Sequence, residues 1–121
     1  MNSQHIVVLC ACSGEAEAER IARALVTERL AACVNRVAAM RSTYIWEGQV
    51  RDEAEVLLVI KTLGSRYVEL ETRIRALHGY DVPEIIALPI QGGSGKYLAW
   101  LAHESSPAAD RVDAEGPRAH R

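Results

Sequence analysis

Residues 43–62 read TYIWEGQVRDEAEVLLVIKT, and this stretch indicates the fold class because it contains two strands joined by a tight turn. Aromatic and β-branched side chains mark the first strand, and a continuous aliphatic run over residues 56–60 marks the second. The turn signal is Glu47-Gly48-Gln49, in which glycine can adopt a positive φ. Extended outward, the pattern predicts strands over residues 32–46 and 50–62. We therefore expect a long β-hairpin whose polar tip stands clear of the body.

A strand and a helix flank this hairpin on each side. Before it, β-branched residues predict a buried strand over residues 4–12, and a helical pattern follows to about residue 30. After it, a helix is predicted over residues 64–77 and a strand over 85–90, which Pro89 restricts to the edge of a sheet. A short amphipathic helix over 96–103 follows. The apolar faces of the two long helices comprise Ala18, Ile21, Ala22 and Leu25 in the first and Tyr67, Leu70, Ile74 and Leu77 in the second.

The predicted order of elements indicates an α+β fold of the ferredoxin-like, split βαβ type. Right-handed crossovers place both long helices on one face of a four-stranded antiparallel sheet. The runs over residues 6–12, 56–60 and 85–90 are apolar on both strand faces, rather than alternating. Two helices cover only one face, and soluble monomers rarely expose a large apolar patch. We therefore expect further copies of the chain to cover the other face in an obligate oligomer.

Length and composition fit one domain followed by a tail. The chain has 121 residues, of which 49% are hydrophobic and 25% charged, and this is enough apolar surface for one core. We expect a single domain over residues 1–104. Residues 105–121 contain one valine, two prolines and no apolar period, so this segment is predicted to be a disordered tail.

Charge and cysteine content narrow the choice of partners and compartment. Lys and Arg total 14 and Asp and Glu total 16, a net charge of −2, which gives no long-range attraction to nucleic acid or to an anionic membrane. The first residues lack the positive charge of a secretory signal, and the apolar run after them is too short to span a membrane. Three cysteines make no disulfide framework. These features predict a cytoplasmic protein with no nucleic-acid or membrane partner.

The cysteines are the first candidates for chemistry. Cys10 and Cys12 are two residues apart in a predicted strand, so their side chains share one face. As thiolates they could hold a soft metal such as Cu(I), with Cys33 as a third candidate if its strand pairs alongside. Free cysteine is also among the most buried residue types, so all three could equally be small core residues.

His78 is the histidine with the most functional surroundings. It lies at the predicted end of a helix and is followed by Tyr80, Asp81 and Glu84. It could stabilise the negative end of the helix dipole, or serve as a metal ligand or proton-transfer group. The sequence contains no serine elbow, phosphate loop or nucleophile–base arrangement, so we do not expect an enzyme.

Three further residues stand out by type and position. Tyr44 and Trp46 share a strand face near the hairpin tip, where aromatic side chains are typical anchors of a subunit contact. Lys61 leaves a buried strand and could pair with Glu55 or Glu84, contact an anionic ligand, or simply extend to water.

Six segments resemble the CutA family of divalent-cation tolerance proteins. The resemblance covers residues 6 to about 103 and leaves only the tail outside. The matching segments are Val7-Val8-Leu9-Cys10, Leu30-Ala31-Ala32-Cys33-Val34-Asn35, Ser42-Thr43-Tyr44-Ile45-Trp46-Glu47-Gly48, Glu55-Val56-Leu57-Leu58-Val59-Ile60-Lys61-Thr62, His78-Gly79-Tyr80-Asp81-Val82-Pro83-Glu84-Ile85-Ile86-Ala87-Leu88-Pro89-Ile90 and Tyr97-Leu98-Ala99-Trp100-Leu101.

The resemblance implies a tight homotrimer of ferredoxin-like protomers, similar to the PII signalling proteins, that binds copper or another divalent cation. On the family pattern the ligand cysteine falls on Cys10 and the ligand histidine on His78, with Glu84 as a further candidate. The chain departs from that pattern at two positions. Leu77 stands where some members have a second histidine, and Gly79 stands where proline is common.

Two functions follow from the resemblance. The first is a trimeric metal-binding protein involved in metal tolerance, with Cys10 and His78 as donors. The second is a PII-like sensor or scaffold that binds a small ligand or a protein in the clefts between subunits. Residues Lys61, Tyr80, Glu84 and Trp100 would line such a cleft, and metal binding would then be incidental.

Overall fold

The computed structural model describes residues 4–107 and places four strands and three helices in the predicted order. The α+β architecture is therefore confirmed. A single 3-10 turn, Gly64–Arg66, leads directly into the second helix. The elements are β1 (His5–Cys12), α1 (Glu15–Thr27), β2 (Cys33–Trp46), β3 (Gln49–Leu63), α2 (Tyr67–Leu77), β4 (Ile85–Pro89) and α3 (Gly95–Glu104).

All four strands form one antiparallel sheet in the order β2-β3-β1-β4, which is the ferredoxin-like order. The first strand in the sequence is central, so Leu9 of β1 lies opposite Val59 of β3 on one side and Ile86 of β4 on the other. Strand β4 forms an edge. This explains why Pro89, which lacks a backbone N–H, is tolerated there.

Helices α1 and α2 cover one face of the sheet and form the main core with it. Alternate residues of the central strands point into this core, among them Val8, Leu58 and Ile60, and none of the three is exposed to solvent. All four predicted face residues of α1 are buried. In α2, Leu70 and Ile74 are fully buried, while Tyr67 and Leu77 pack against the edge of the cluster. Burying each large side chain contributes roughly 1.5–3 kcal/mol.

The opposite face of the sheet, which we call the open face, is largely aliphatic and has no helix against it from α1 or α2. It carries Val7 and Leu9 from β1, Val59 from β3, and Ile86 and Leu88 from β4. Ile86 and Leu88 are each 49% exposed. The continuous apolar runs in the sequence therefore reflect strands whose two faces are both aliphatic.

The hairpin of β2 and β3 extends beyond the body of the domain. Its two-residue loop is Glu47-Gly48, with φ of 51° and 77°, the mirror-image turn that fits the twist of paired strands. Ile45 and Val50, which flank the loop, are 71% and 74% exposed. The structure adds a bulge in β2 at Ala39, whose φ is 64° and which the sequence pattern does not predict.

The end of the described chain is held against α3. The backbone N–H of Ser105 donates to the carbonyl of Leu101, and the Ser106 hydroxyl donates to the carbonyl of Ala102. Ser105 is fully buried. The first residues of the segment predicted as a tail thus close the last helix, whereas residues 108–121 lie outside the described part of the chain.

Candidate metal centre

Three potential metal donors converge where the end of β1 meets the end of α2. Single donor atoms of Cys10, Cys12 and His78 all lie within 4.8 Å of one another, and all three residues are buried. Both cysteines point to the helix-covered face because they are two residues apart in a strand. His78 is the C-terminal cap of α2, and its extended backbone (φ −80°, ψ 142°) turns the chain back toward β1.

Hydrogen bonds at both nitrogens fix the His78 ring. Nε2 lies 2.7 Å from the carbonyl oxygen of Ala11, which can only accept, so this nitrogen carries the hydrogen and donates it. Nδ1 accepts from the backbone N–H of Tyr80 at 3.1 Å. The Tyr80 ring packs on the imidazole with a centroid separation of 4.8 Å. An ion bound by this histidine must therefore replace one of two existing hydrogen bonds, each worth about 1 kcal/mol.

A buried carboxylate, that of Glu17, joins the same region. Its oxygens accept hydrogen bonds from the backbone N–H of Ser13 at 2.9 Å and of Gly79 at 2.7 Å, as well as from the Ser13 hydroxyl. Oε1 lies 3.8 Å from Nε2 of His78. Burial by itself raises the pKa of Glu17, but the donors of Ser13 and Gly79 and the nearby imidazole outweigh it, and the pKa is lowered.

The contact with Glu17 explains the glycine at position 79. A Cβ built on Gly79 would lie 3.0 Å from Oε2 of Glu17, closer than ordinary contacts allow. The glycine N–H also donates to that same oxygen, and a proline there could not donate. The amide at position 79 is thus used by a buried carboxylate.

We predict that Glu17→Gln destabilises the protein by about 1–3 kcal/mol at pH 7, because the charge-assisted hydrogen bonds from Ser13 and Gly79 are weakened. Since the folded-state pKa of Glu17 lies below its unfolded value, this stabilisation is present above the unfolded pKa and is lost as the pH falls through the folded one. Urea denaturation of both proteins at pH 7 and below pH 4 measures it. A difference in unfolding free energy that stays constant with pH would contradict the assignment.

The environment of Cys10 keeps the proton of its thiol in place. The pKa of the Cys10 thiol is strongly raised, first by its hydrogen bond with Cys12, then by burial, and then by the charges of Cys12, Glu17 and Glu84. Both thiols are fully buried and free of disulfides. Without a metal the Cys10 thiol is therefore unreactive, and a bound ion has to displace its proton.

A cavity of about 790 Å³ lies between residues 79–84 and the outer half of the hairpin. Tyr80 projects into it and donates from its hydroxyl to the buried carboxylate of Glu55 at 2.9 Å. Burial and this carboxylate raise the pKa of Tyr80. Tyr44 donates in the same way to Glu53. The other charged and aromatic residues of the wall are Trp46, Arg51, Asp81 and Glu84.

The structure separates the predicted site residues into distinct places. Cys10 and His78 lie together, and Cys12 lies with them. Glu84 is exposed and lines the cavity instead, as do Tyr80, Tyr44 and Trp46.

Lys61 and Trp100 lie elsewhere in the protomer. The Lys61 ammonium group lies on the open face, where it donates to the side chain of Asn35 and not to Glu55 or Glu84. It also lies opposite Cys33 in the sheet. Trp100 packs against Tyr97 on α3, with ring centroids 5.6 Å apart. Within one described chain, these two residues and Tyr80 do not line a single cavity.

Glu17 and Glu55 are the residues that the sequence interpretation missed. Glu17 occupies the third helical position of α1, where glutamate often reaches back to the amide before the helix. The position of Glu17 in the first turn of the helix could have predicted its hydrogen bond with Ser13. Glu55 gave no comparable signal, because its partner Tyr80 is 25 residues away. Within residues 4–107, no helix combines the length and apolar content needed to cross a membrane.

Sequence comparison identifies relatives over almost the whole described chain. The family model described as CutA1 divalent ion tolerance protein matches residues 6–104. A divalent-cation tolerance protein CutA of Thermus thermophilus is 50% identical over 95 residues, covering 78% of this chain and 92% of its own length. The human protein CutA is 41% identical over 101 residues. That match covers 84% of this chain but only 56% of the human protein. The match to the rice chloroplastic relative likewise covers 56% of that protein.

Solved structures agree with these matches. The divalent cation tolerance protein of Thermus thermophilus superposes with a TM-score of 0.83 at 47% identity, covering 84% of this chain and 99% of that one. The CutA1 structure from rice gives the same TM-score at 45% identity, covering 87% and 96% of the two chains.

Proposed function

The chain belongs to the CutA1 divalent ion tolerance protein family, and we propose that it acts in metal tolerance as a homotrimer that binds a divalent cation, copper above all. Cys10 and His78 would hold the ion, with Glu84 close by on the cavity wall. Such an ion would bind through its affinity for thiolate and imidazole ligands. The protein contributes placement, burial and the exclusion of water.

The observation that carries this proposal is the convergence of Cys10 with His78, which lie 68 positions apart in the numbering and come from different elements. Two donors with bonds of about 2.0–2.3 Å to one ion can be at most about 4.6 Å apart. The donor atoms of the cluster lie within 4.8 Å of one another, so a shared ion requires only a small movement of the Cys10 and His78 side chains. The residues therefore fit a thiophilic transition metal.

The homotrimer is supported by the open face. Its aliphatic side chains have no cover from α1 or α2, and Ile86 and Leu88 remain half exposed in the single chain. A stable soluble protein rarely leaves such a sheet face bare. Tyr44 and Trp46, partly exposed near the tip of the hairpin, supply the aromatic anchors that subunit contacts favour. A cytoplasmic location is supported by three cysteines that remain free.

We predict that Cys10→Ser and His78→Asn each weaken Cu(II) binding at least about tenfold, because each removes a donor and the remaining ligand cannot hold a buried ion. Isothermal titration of the purified protein measures this. Cys33→Ser and His103→Ala are matched controls on other elements. Circular dichroism and native mass spectrometry confirm that fold and assembly survive each change.

The same titration decides between this proposal and the sensor alternative. The specific observation that favours a sensor is the cavity next to the cluster, with its three aromatic side chains. Four carboxylates and one guanidinium line it, so an anionic ligand would meet repulsion there. If both variants bind copper as tightly as the wild type, the donor assignment fails and the cavity becomes the better candidate site.

A further inference from the structure

We propose that the buried cluster is a site for a soft, thiophilic cation of low coordination number, with Cu(I) as its representative, and that Cys12 is its third donor in place of Glu84. This inference rests on the proposed copper binding, and it specifies the cuprous ion as the form held by this cluster and Cys12 as a donor in place of Glu84. It follows from the donor atoms that lie near Cys10 and, within the described residues, from the absence of carboxylate ligands and of solvent access beside them.

Cys12 lies where it can bind an ion together with Cys10. It lies two residues after Cys10 on the same face of β1, and both side chains are fully buried. Its sulfur falls within 4.8 Å of the donors of Cys10 and His78. Cys10 and Cys12 lie side by side because side chains of a strand alternate with a period of two residues, so their proximity depends on no long-range contact. Cys33 lies on β2 outside this group, which makes it an internal comparison.

The cluster offers only a small number of metal donors. Among residues 4–107, the convergent group contains two sulfurs and one imidazole and no carboxylate. Both oxygens of Glu17, the nearest acid, already accept hydrogen bonds from Ser13 and Gly79. Glu84 is exposed on the cavity wall. A hard cation or a tetrahedral zinc site therefore lacks ligands here.

The cluster also excludes water. The side chains of Cys10, Cys12 and His78 are all inaccessible to solvent, so water is not at hand to complete a coordination shell. Soft thiolate donors select Cu(I) and similar ions, and Cu(I) tolerates a shell of few ligands. On binding, each thiol forms a sulfur–metal bond and releases its proton to solvent, while the oxidation state of the ion stays unchanged.

The cavity adjoins the cluster through chain neighbours of its donors, whereas the sulfurs themselves point to the other face of β1. Ala11 and Gly79 belong to the cavity wall, and they are the chain neighbours of the two cysteines and of His78. The hydrogen bond from Nε2 of His78 to Ala11 closes the gap between these two wall segments.

The test is an anaerobic titration with Cu(I) in competition with bathocuproine disulfonate, on the full-length protein and on matched variants. Cys12→Ser is expected to weaken Cu(I) binding at least about tenfold, whereas Glu84→Gln and Cys33→Ser are expected to change it less than about twofold. Zn(II), titrated in parallel, should bind more weakly than Cu(I). X-ray absorption of the wild-type Cu(I) complex should show two sulfur neighbours, a readout that needs no variant.

The outcomes separate this inference from the proposed function. If Cys10→Ser loses the metal while Cys12→Ser retains it, or if absorption shows one sulfur, Cys12 is not a donor and only the inference is overturned. Tight Zn(II) binding with weak Cu(I) binding also overturns it. If the wild-type protein binds neither Cu(I) nor Cu(II), the proposed function falls together with the inference.

Discussion

Val59→Asp is expected to convert the oligomer into single chains, with the mass in light scattering falling from about three times 13.3 kDa to one. Val59 lies in the middle of the open face, opposite Leu9 of β1 and Asn35 of β2. A carboxylate at this position would be buried in every subunit contact, and the neighbouring cation, Lys61, already donates to the side chain of Asn35. Burying such a charge costs several kcal/mol, and this cost recurs in every subunit of the assembly.

Val68→Asp is the matched control for this experiment. Val68 is 75% exposed on the outer surface of α2, so the same substitution there should leave the mass unchanged. A wild-type protein that runs as a monomer would remove the trimer from the proposed function. A Val59→Asp protein that stays trimeric would show that the subunits meet elsewhere.

Ile60→Ala is expected to lower the free energy of unfolding by about 2–5 kcal/mol, and Ile60→Val by about 0.5–1.5 kcal/mol. Ile60 is fully buried in β3, opposite Val8 of the central strand and Val34 of β2. Truncation leaves a cavity at the centre of the layer between sheet and helices. The neighbouring strands cannot move to fill this cavity. Urea denaturation at one fixed protein concentration measures the change, because the stability of an oligomer depends on concentration.

Val68→Ala provides the baseline for the Ile60 series and should change stability by no more than about 0.5 kcal/mol. A loss at Ile60 of that same small size would contradict the assignment of Ile60 to the core. The graded loss from valine to alanine distinguishes cavity formation from a nonspecific effect of mutating the strand.

The order of strands and helices could be predicted because each element carries its own local pattern. Glu47-Gly48 predicted the hairpin turn, and the structure confirms it with two positive φ angles. The spacing in α1 and α2 predicted which residues are buried. Helix α1 ends at Thr27, three residues earlier than predicted. The bulge at Ala39 was unpredictable, since alanine gives no sign that it will adopt φ of 64°.

The candidate site was predictable only in part. Cys10 and Cys12 share a face because strands have a period of two residues, and this expectation is confirmed. The approach of His78 was implied by the family resemblance, since nothing local connects the end of α2 to β1. The hydrogen bond between Glu17 and Gly79 joins residues far apart in sequence, and such contacts leave no periodic trace.

The central position of β1 has a consequence for how the chain folds. His5 pairs with Leu63 and Ile6 with Pro89, so β1 waits for partners that are synthesised much later. Contacts of such long sequence separation slow folding. The β2–β3 hairpin, closed by two residues, can form locally within about 1–10 μs. The two thiols on β1 are therefore made early and enclosed late.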